Sequence, residues 1–254
     1  MEAVSGQYQD SGSKGHRLWV RLTHWWIAVA VLVLMFSGFT ILMAHPRLYW
    51  GDTGNDLTRP FVELPIGPNY KHGGWQQVTP FFASPGSAVT AERHFYIFNQ
   101  NGWARSLHFL AAWAFIVGLG AYLAFGIVSG HIGRALWPRR AERRPAALWR
   151  DVKAHLRFPI PAAEPGGPYN VLQKLAYCLI ALVALPLMFL TGVTMSPAIA
   201  ASYPILLDIF GGTQSARTIH FLTFAFVALF LLVHLAMIAL TGPLRQLRGM
   251  ILGR

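Results

Sequence analysis

The sequence predicts an all-α membrane protein: a four-helix transmembrane bundle with a long periplasmic loop and a cytoplasmic interfacial helix. Three observations carry that prediction. Only 12% of the 254 residues are charged and 54% are hydrophobic, far from the balance of a water-soluble globular domain. Four apolar runs, at about residues 19–44, 103–129, 171–195 and 217–241, are each long enough to cross about 30 Å of hydrocarbon as a helix. The interiors of those runs hold almost no charge, so the bilayer is the solvent for this chain.

The elements follow in order. The first 18 residues are polar and glycine-containing, with no short apolar core and no small-residue cleavage site, so no removable signal peptide is expected. The first helix, ending at Ala44, is then the insertion signal. Residues 45–102 are rich in Pro, Gly and aromatics such as Tyr49, Trp50, Trp75 and Phe81, and are too punctuated to cross the bilayer. They read either as an ordered cap and docking surface at the outer interface or as a lid that only covers helix ends. In the connection 130–170, Leu148, Val152 and Leu156 recur at helical spacing among basic residues, which predicts a short helix on the anionic inner leaflet. Pro159, Pro161, Pro165 and Pro168 break the chain before the third helix, in which Pro186 predicts a kink. The chain 1–254 has no room for a second large domain and reads as one.

The net charge of +11 does not point to nucleic acid, because the cations fall where a membrane protein puts them. Fifteen of the 21 Lys and Arg residues lie with the two termini, the 130–170 connection and, as Lys174, the start of the third helix. The other six are Arg47, Arg59, Lys71, Arg93, Arg105 and Arg217. The positive-inside rule puts both termini in the cytoplasm of a multi-pass protein of the bacterial inner membrane. The single cysteine, Cys178, lies inside the third helix, so the chain offers no disulfide framework, zinc cluster or covalent haem motif.

Three times an arginine precedes a histidine by three residues, with an aromatic next: Arg21-Leu-Thr-His24-Trp25, Arg105-Ser-Leu-His108-Phe109 and Arg217-Thr-Ile-His220-Phe221. Positions i and i+3 share a helix face, so each copy presents an imidazole and a guanidinium together at a membrane entry. His234, in the run that begins with His220, is the fourth buried histidine. Fourteen residues separate the two, a rise of about 21 Å on nearly one face. Topology puts His24 and His234 at the inner level and His108 and His220 at the outer level, whereas crossed pairs would span most of the bilayer.

Two imidazoles facing one another from two helices are the usual way a bundle holds a low-spin haem, so the four make two axial pairs for two non-covalent haem b groups. With no open position for oxygen, the expected job is electron transfer. Arg105 and Arg217 stand on the side that disfavours cations, and neutralising haem propionates accounts for them. Arg21 and Arg17 either serve the inner haem in the same way or snorkel to the inner interface. Gly38, Gly118, Gly120 and Gly192 make room either for flat macrocycles or for close helix packing. Of the other histidines, only His45 and His94 are candidates for extra ligands. Apart from the Arg-x-x-His signature no internal repeat is evident.

These residues in this order resemble the bacterial di-haem cytochrome b superfamily. It includes the membrane subunits of formate dehydrogenase, nickel-iron hydrogenase and thiosulfate reductase, and bacterial cytochrome b-561. The resemblance covers all four helices and rests above all on the Arg-x-x-His-Trp opening and the His-x13-His spacing. The stretches His45-Pro-Arg-Leu-Tyr-Trp-Gly51 and Gly211-Gly-Thr-Gln-Ser-Ala-Arg-Thr-Ile-His220 are similar to a branch that accompanies a periplasmic molybdopterin oxidoreductase of the sulfite oxidase type. The resemblance implies the quinone-reactive subunit of an oxidoreductase complex, passing electrons between a periplasmic enzyme docked on 45–102 and the membrane quinone pool. It also implies a quinone site beside the inner haem, where Asn170, Gln173 and Lys174 either line the site or cap the helix. A stand-alone quinol oxidase serving a small acceptor is the alternative within this class. A metal or proton transporter is the alternative outside it, disfavoured because the spans hold no Asp or Glu and the histidines lie in two layers rather than at the midplane. A passive anchor would leave four buried imidazoles without purpose.

Overall fold

The computed structural model describes residues 16–54, 58–64, 66, 101–155 and 170–253. Mean hydropathy and length qualify four helices to cross a membrane: Leu18–Met43, Gly102–Val128, Val171–Thr194 and Thr213–Leu240. The first is α1 (Leu18–Ala44) and the second α2 (Asn101–Val128). The third is α4 (Val171–Leu179), a π-helical turn at Ile180–Ala184, then α5 (Leu185–Thr194). The fourth is α8 (Thr213–Leu240). Their ends fall within four residues of the expected ones. Large apolar side chains such as Val29, Leu32, Val117 and Leu229 stay exposed along these helices, as a lipid-facing surface requires. The chain is an all-α integral membrane bundle.

The kink expected at Pro186 takes the form of the π-helical turn before it. Proline has no N–H for the carbonyl four residues back, and its ring crowds that carbonyl, so the helix widens by one residue instead. At mid-depth Ala30, Phe115, Leu119, Ile180, Ala184, Leu185 and Val227 form the dry core. It contains no ionisable group.

The side of the bundle away from the termini is tied together by the segment after α1. Arg47 and Leu48 form β1, which pairs antiparallel with β2 (Val62–Glu63) in the register Arg47 to Glu63 and Leu48 to Val62. Two-residue strands carry no periodicity, so nothing in the sequence announces this pair. Arg47 is fully buried, with Nε 3.3 Å from Glu63 Oε1. The Gly51 carbonyl accepts from the N–H groups of Gln214 and Ser215, and the Gly51 N–H donates to Ser215 Oγ at 2.8 Å. Two orphan donors of the first turn of α8 are thereby satisfied from α1's extension. Gly212, at φ 100°, makes the turn into α8, and a Cβ there would lie 2.3 Å from Asp52 Oδ1. This clamp is why α8 starts at Thr213 and not at Arg217. Two short helices, α6 (Pro197–Ser202) and α7 (Ile205–Phe210), connect α5 to it.

On the termini side, α3 (Pro145–His155) starts three residues before the expected amphipathic helix, and Leu156 and Phe158 lie outside the described residues. Asp151 Oδ2 accepts from the Leu172 N–H at 2.9 Å, so α3 caps α4. The chain ends in α9 (Pro243–Ile251), which returns to the start of α1: Arg21 Nη1 donates to the Ile251 carbonyl and Trp25 Nε1 to that of Met250. Most of 45–102, including His72 and His94, and the proline-rich 156–169 lie outside the described residues.

Lys174 is 3% exposed, and its Nζ donates to Glu142 Oε1 at 2.7 Å. Burial opposes the Glu142 charge, but the hydrogen bond from Lys174 and that from the Arg139 N–H outweigh it and hold the carboxyl below its usual range. A carboxyl so depressed stabilises the fold above its unfolded pKa, and that contribution disappears as pH falls through the lower folded value. Glu142→Gln leaves a buried ammonium unpaired, whereas Lys174→Met removes the buried charge, so the first is expected to lower the melting temperature more than the second. The difference between wild type and Glu142→Gln is expected to shrink when melting is followed into acid.

Candidate haem sites

The bundle brings the four membrane histidines together as two pairs at two depths. His24 on α1 and His234 on α8 face one another near the termini side, with ring centroids 6.5 Å apart and planes inclined by 54°. His108 on α2 and His220 on α8 do the same on the far side, at 6.4 Å and 64°. One metal with an imidazole nitrogen about 2 Å away on each side, and about 1 Å from nitrogen to ring centre, puts the centroids about 6 Å apart. Axial rings turn about the common nitrogen–metal–nitrogen axis, so the inclinations do not count against it. Among the described residues no three His, Cys, Asp or Glu side chains converge, so the pairs suit a centre whose remaining ligands come from elsewhere, as from a porphyrin.

The surroundings of the two pairs differ. Ser37 Oγ lies 2.9 Å from His108 Nδ1, and Thr191 Oγ1 lies 2.9 Å from His220 Nδ1. Near the termini side His24 Nδ1 is buried with no hydrogen-bond partner among the described residues. There the packing is aromatic. Trp25 meets the His24 ring edge-on at 5.3 Å, and Phe230 stacks on His234 at 5.7 Å and 14° and meets Tyr177 at 6.4 Å.

The sequence profile of the prokaryotic cytochrome b561 family matches residues 15–253. The chain belongs to that family. It is a membrane cytochrome that binds haem b and transfers electrons. A protein of Azospira oryzae, provisionally named protein-methionine-sulfoxide reductase subunit YedZ1, is 29% identical over 238 residues, 94% of this chain and 96% of that one. No solved structure matches the chain.

In this cytochrome b561 the arginines of the signature fare unequally. Arg217 donates from Nη2 to the His45 carbonyl at the end of α1, whereas Arg105 is exposed on α2. Arg21 turns to the end of α9, its Nε buried without a partner among the described residues, and Arg17 is exposed. Arg47, read from sequence only as an outer-side cation, is fully buried on the far side. His45 packs beside Tyr49 at 6.1 Å. The quinone candidates are engaged in helix capping: the Asn170 N–H donates to Gln173 Oε1 at 3.1 Å in a capping box, and Lys174 is held by Glu142.

The four membrane glycines have different neighbours. A Cβ on Gly38 would meet His108 Cε1 at 3.2 Å and one on Gly192 would meet His220 Cε1 at 3.5 Å, so these two admit the imidazoles. Gly118 admits Trp26, with Cδ1 at 2.4 Å, and Gly120 meets nothing within 4 Å. Sequence reasoning missed Ser37 and Thr191, although a signal for them exists. Ser37-Gly38-Phe39-Thr40 and Thr191-Gly192-Val193-Thr194 are a second repeat, and the two hydroxyls and the two threonines are all fully buried.

Proposed function

We propose that this cytochrome b561 holds two haem b groups, the inner between His24 and His234 and the outer between His108 and His220, and links a periplasmic oxidoreductase to the quinone pool. The observation that supports it best is the matched spacing of the two ring pairs, 6.5 and 6.4 Å, at depths about 21 Å apart along α8. Haem supplies reversible one-electron uptake at each tier. The protein's part is to hold the rings and keep water and charge out of the core between them. Arg217 and Arg105 on the outer side, and Arg21 and Arg17 on the inner side, neutralise propionates. The charge bias puts both termini in the cytoplasm of a bacterial inner membrane.

A partner docks on the 45–102 side, where the buried Arg47–Glu63 pair and the Gly51 clamp fix the segment that follows α1. The Azospira relative's name makes it a subunit of a reductase for protein methionine sulfoxide, and an oxidoreductase subunit is the kind of partner proposed here. Quinone binds on the inner side around Asn170, Gln173 and Lys174, from which Tyr177 and Phe230 lead to His234.

Haem extraction from the purified protein is expected to give two haem b per chain, and the reduced-minus-oxidised spectrum two b-type components. One haem or none would overturn the proposal. Gln173→Glu keeps the acceptor that caps α4 but removes the amide donors, so it is expected to slow quinone reduction several-fold at unchanged haem content. An unchanged rate would remove Gln173 from the quinone site.

A further inference from the structure

The hydroxyls beside the outer pair have their protons already placed. Ser37 Oγ donates to the Val33 carbonyl at 2.7 Å, and Thr191 Oγ1 donates to the Leu187 carbonyl at 2.7 Å, each reaching one turn back on its own helix. A hydroxyl has one proton, so towards the imidazole each oxygen can only accept. The same hydroxyls lie 3.3 Å from the carbonyl three residues back, Leu34 or Met188, so each proton is directed into its own helix backbone. Both rings are therefore fixed with the proton on Nδ1 and the lone pair on Nε2. That is the tautomer that can ligate a metal through Nε2.

The two sites repeat one plan. Each helix of the pair α1 and α5 offers a hydroxyl residue, a glycine against the imidazole Cε1, and a fully buried threonine bonded one turn back: Thr40 to Phe36 at 3.0 Å, Thr194 to Leu190 at 2.7 Å. Each faces an Arg-x-x-His on the next membrane helix of the chain. At the inner pair His24 Nδ1 is buried without a partner among the described residues.

We propose that Ser37 and Thr191 are matched positioning residues of the outer haem, fixing the Nδ1–H tautomers of His108 and His220 and enriching both ligands with electron density. This rests on the assignment of His108 and His220 as axial ligands. An acceptor on Nδ1–H makes the imidazole a stronger donor and favours ferric iron, so its removal raises the reduction potential of that haem alone.

The test is a potentiometric titration of the purified full-length cytochrome with low-temperature electron paramagnetic resonance of its ferric haems. Ser37→Ala and Thr191→Val are each expected to move the same one of two transitions to more positive potential. The double variant is expected to move it further, and Ser37→Thr and Thr191→Ser to leave both transitions at their wild-type positions. Two haems retained with both transitions and both sets of g-values unmoved in Thr191→Val would overturn the inference while leaving the ligand assignment intact. If His108→Ala keeps both haems, the ligand assignment itself fails. Should Ser37→Ala not fold, Thr191→Val decides alone.

Discussion

Purified His220→Ala protein is expected to carry one haem b per chain, against the two proposed for wild type, and His108→Ala is expected to reproduce that loss. His24→Ala and His234→Ala should each remove the other haem. An axial imidazole has no substitute nearby, because no third metal-ligating side chain converges on either pair among the described residues. The effect is therefore the loss of a whole cofactor, not a weakening. The tiers are about 21 Å apart along α8, beyond the range at which substitutions without shared partners couple. Double variants then separate pairing from general damage. His108→Ala with His220→Ala should retain as much haem as either single variant, whereas His108→Ala with His24→Ala should retain none. If His108→Ala with His24→Ala kept one haem, the pairing would be crossed. If His220→Ala alone lost both, that residue would hold the bundle together. Haem per chain and the split of the reduced α-band are the readouts.

The four spans were legible because the bilayer imposes one rule on each residue of a long run, and an average over about 20 residues reports it. The histidine pairs were legible for a related reason: a 14-residue spacing on one helix, with the alternating direction of the others, leaves one pairing per level. Features decided by contacts across the chain were not legible. The clamp by which Gly51 caps α8 joins residues more than 160 positions apart, and nothing near Gly212 announces its partner. The fully buried Arg47 looked like any other outer-side cation, because its match with Glu63 depends on a two-residue hairpin. Ser37 and Thr191 sit among other hydroxyl residues whose bonds stay within their own helix, as those of Thr23 and Thr223 do. Only the facing imidazole sets them apart. For Asn170 and Gln173 the capping reading was available from the Asn-x-x-Gln spacing itself, and the structure uses both for it.

The glycines allow the two uses of small residues in this bundle to be told apart by experiment. Gly118→Ala puts a methyl 2.4 Å from Trp26 Cδ1, so the indole must leave its place against α2 and give up the 2.7 Å bond from Nε1 to the Ala114 carbonyl. Overpacking of this kind costs about 1–3 kcal/mol, and a lost hydrogen bond about 1 kcal/mol. A lower melting temperature in detergent is therefore expected, with haem content unchanged, because Trp26 is not among the ligand candidates. Gly120→Ala serves as the control for packing, since its methyl meets no protein atom within 4 Å and the melting temperature should stay put. Gly38→Ala tests the other use. Its methyl would stand 3.2 Å from His108 Cε1, and Ser37 prevents the ring from simply backing away, so the imidazole has to tilt by a few tenths of an ångström. The expected outcome is altered g-values for the outer haem at nearly wild-type stability. Gly192→Ala, at 3.5 Å from His220 Cε1, forms an ordinary contact and should be silent. If all four glycines made room for macrocycles, all four alanine variants would disturb a haem spectrum. A pattern in which Gly38→Ala alone does so, and Gly118→Ala alone melts early, separates a glycine that seats a ligand from one that seats a helix.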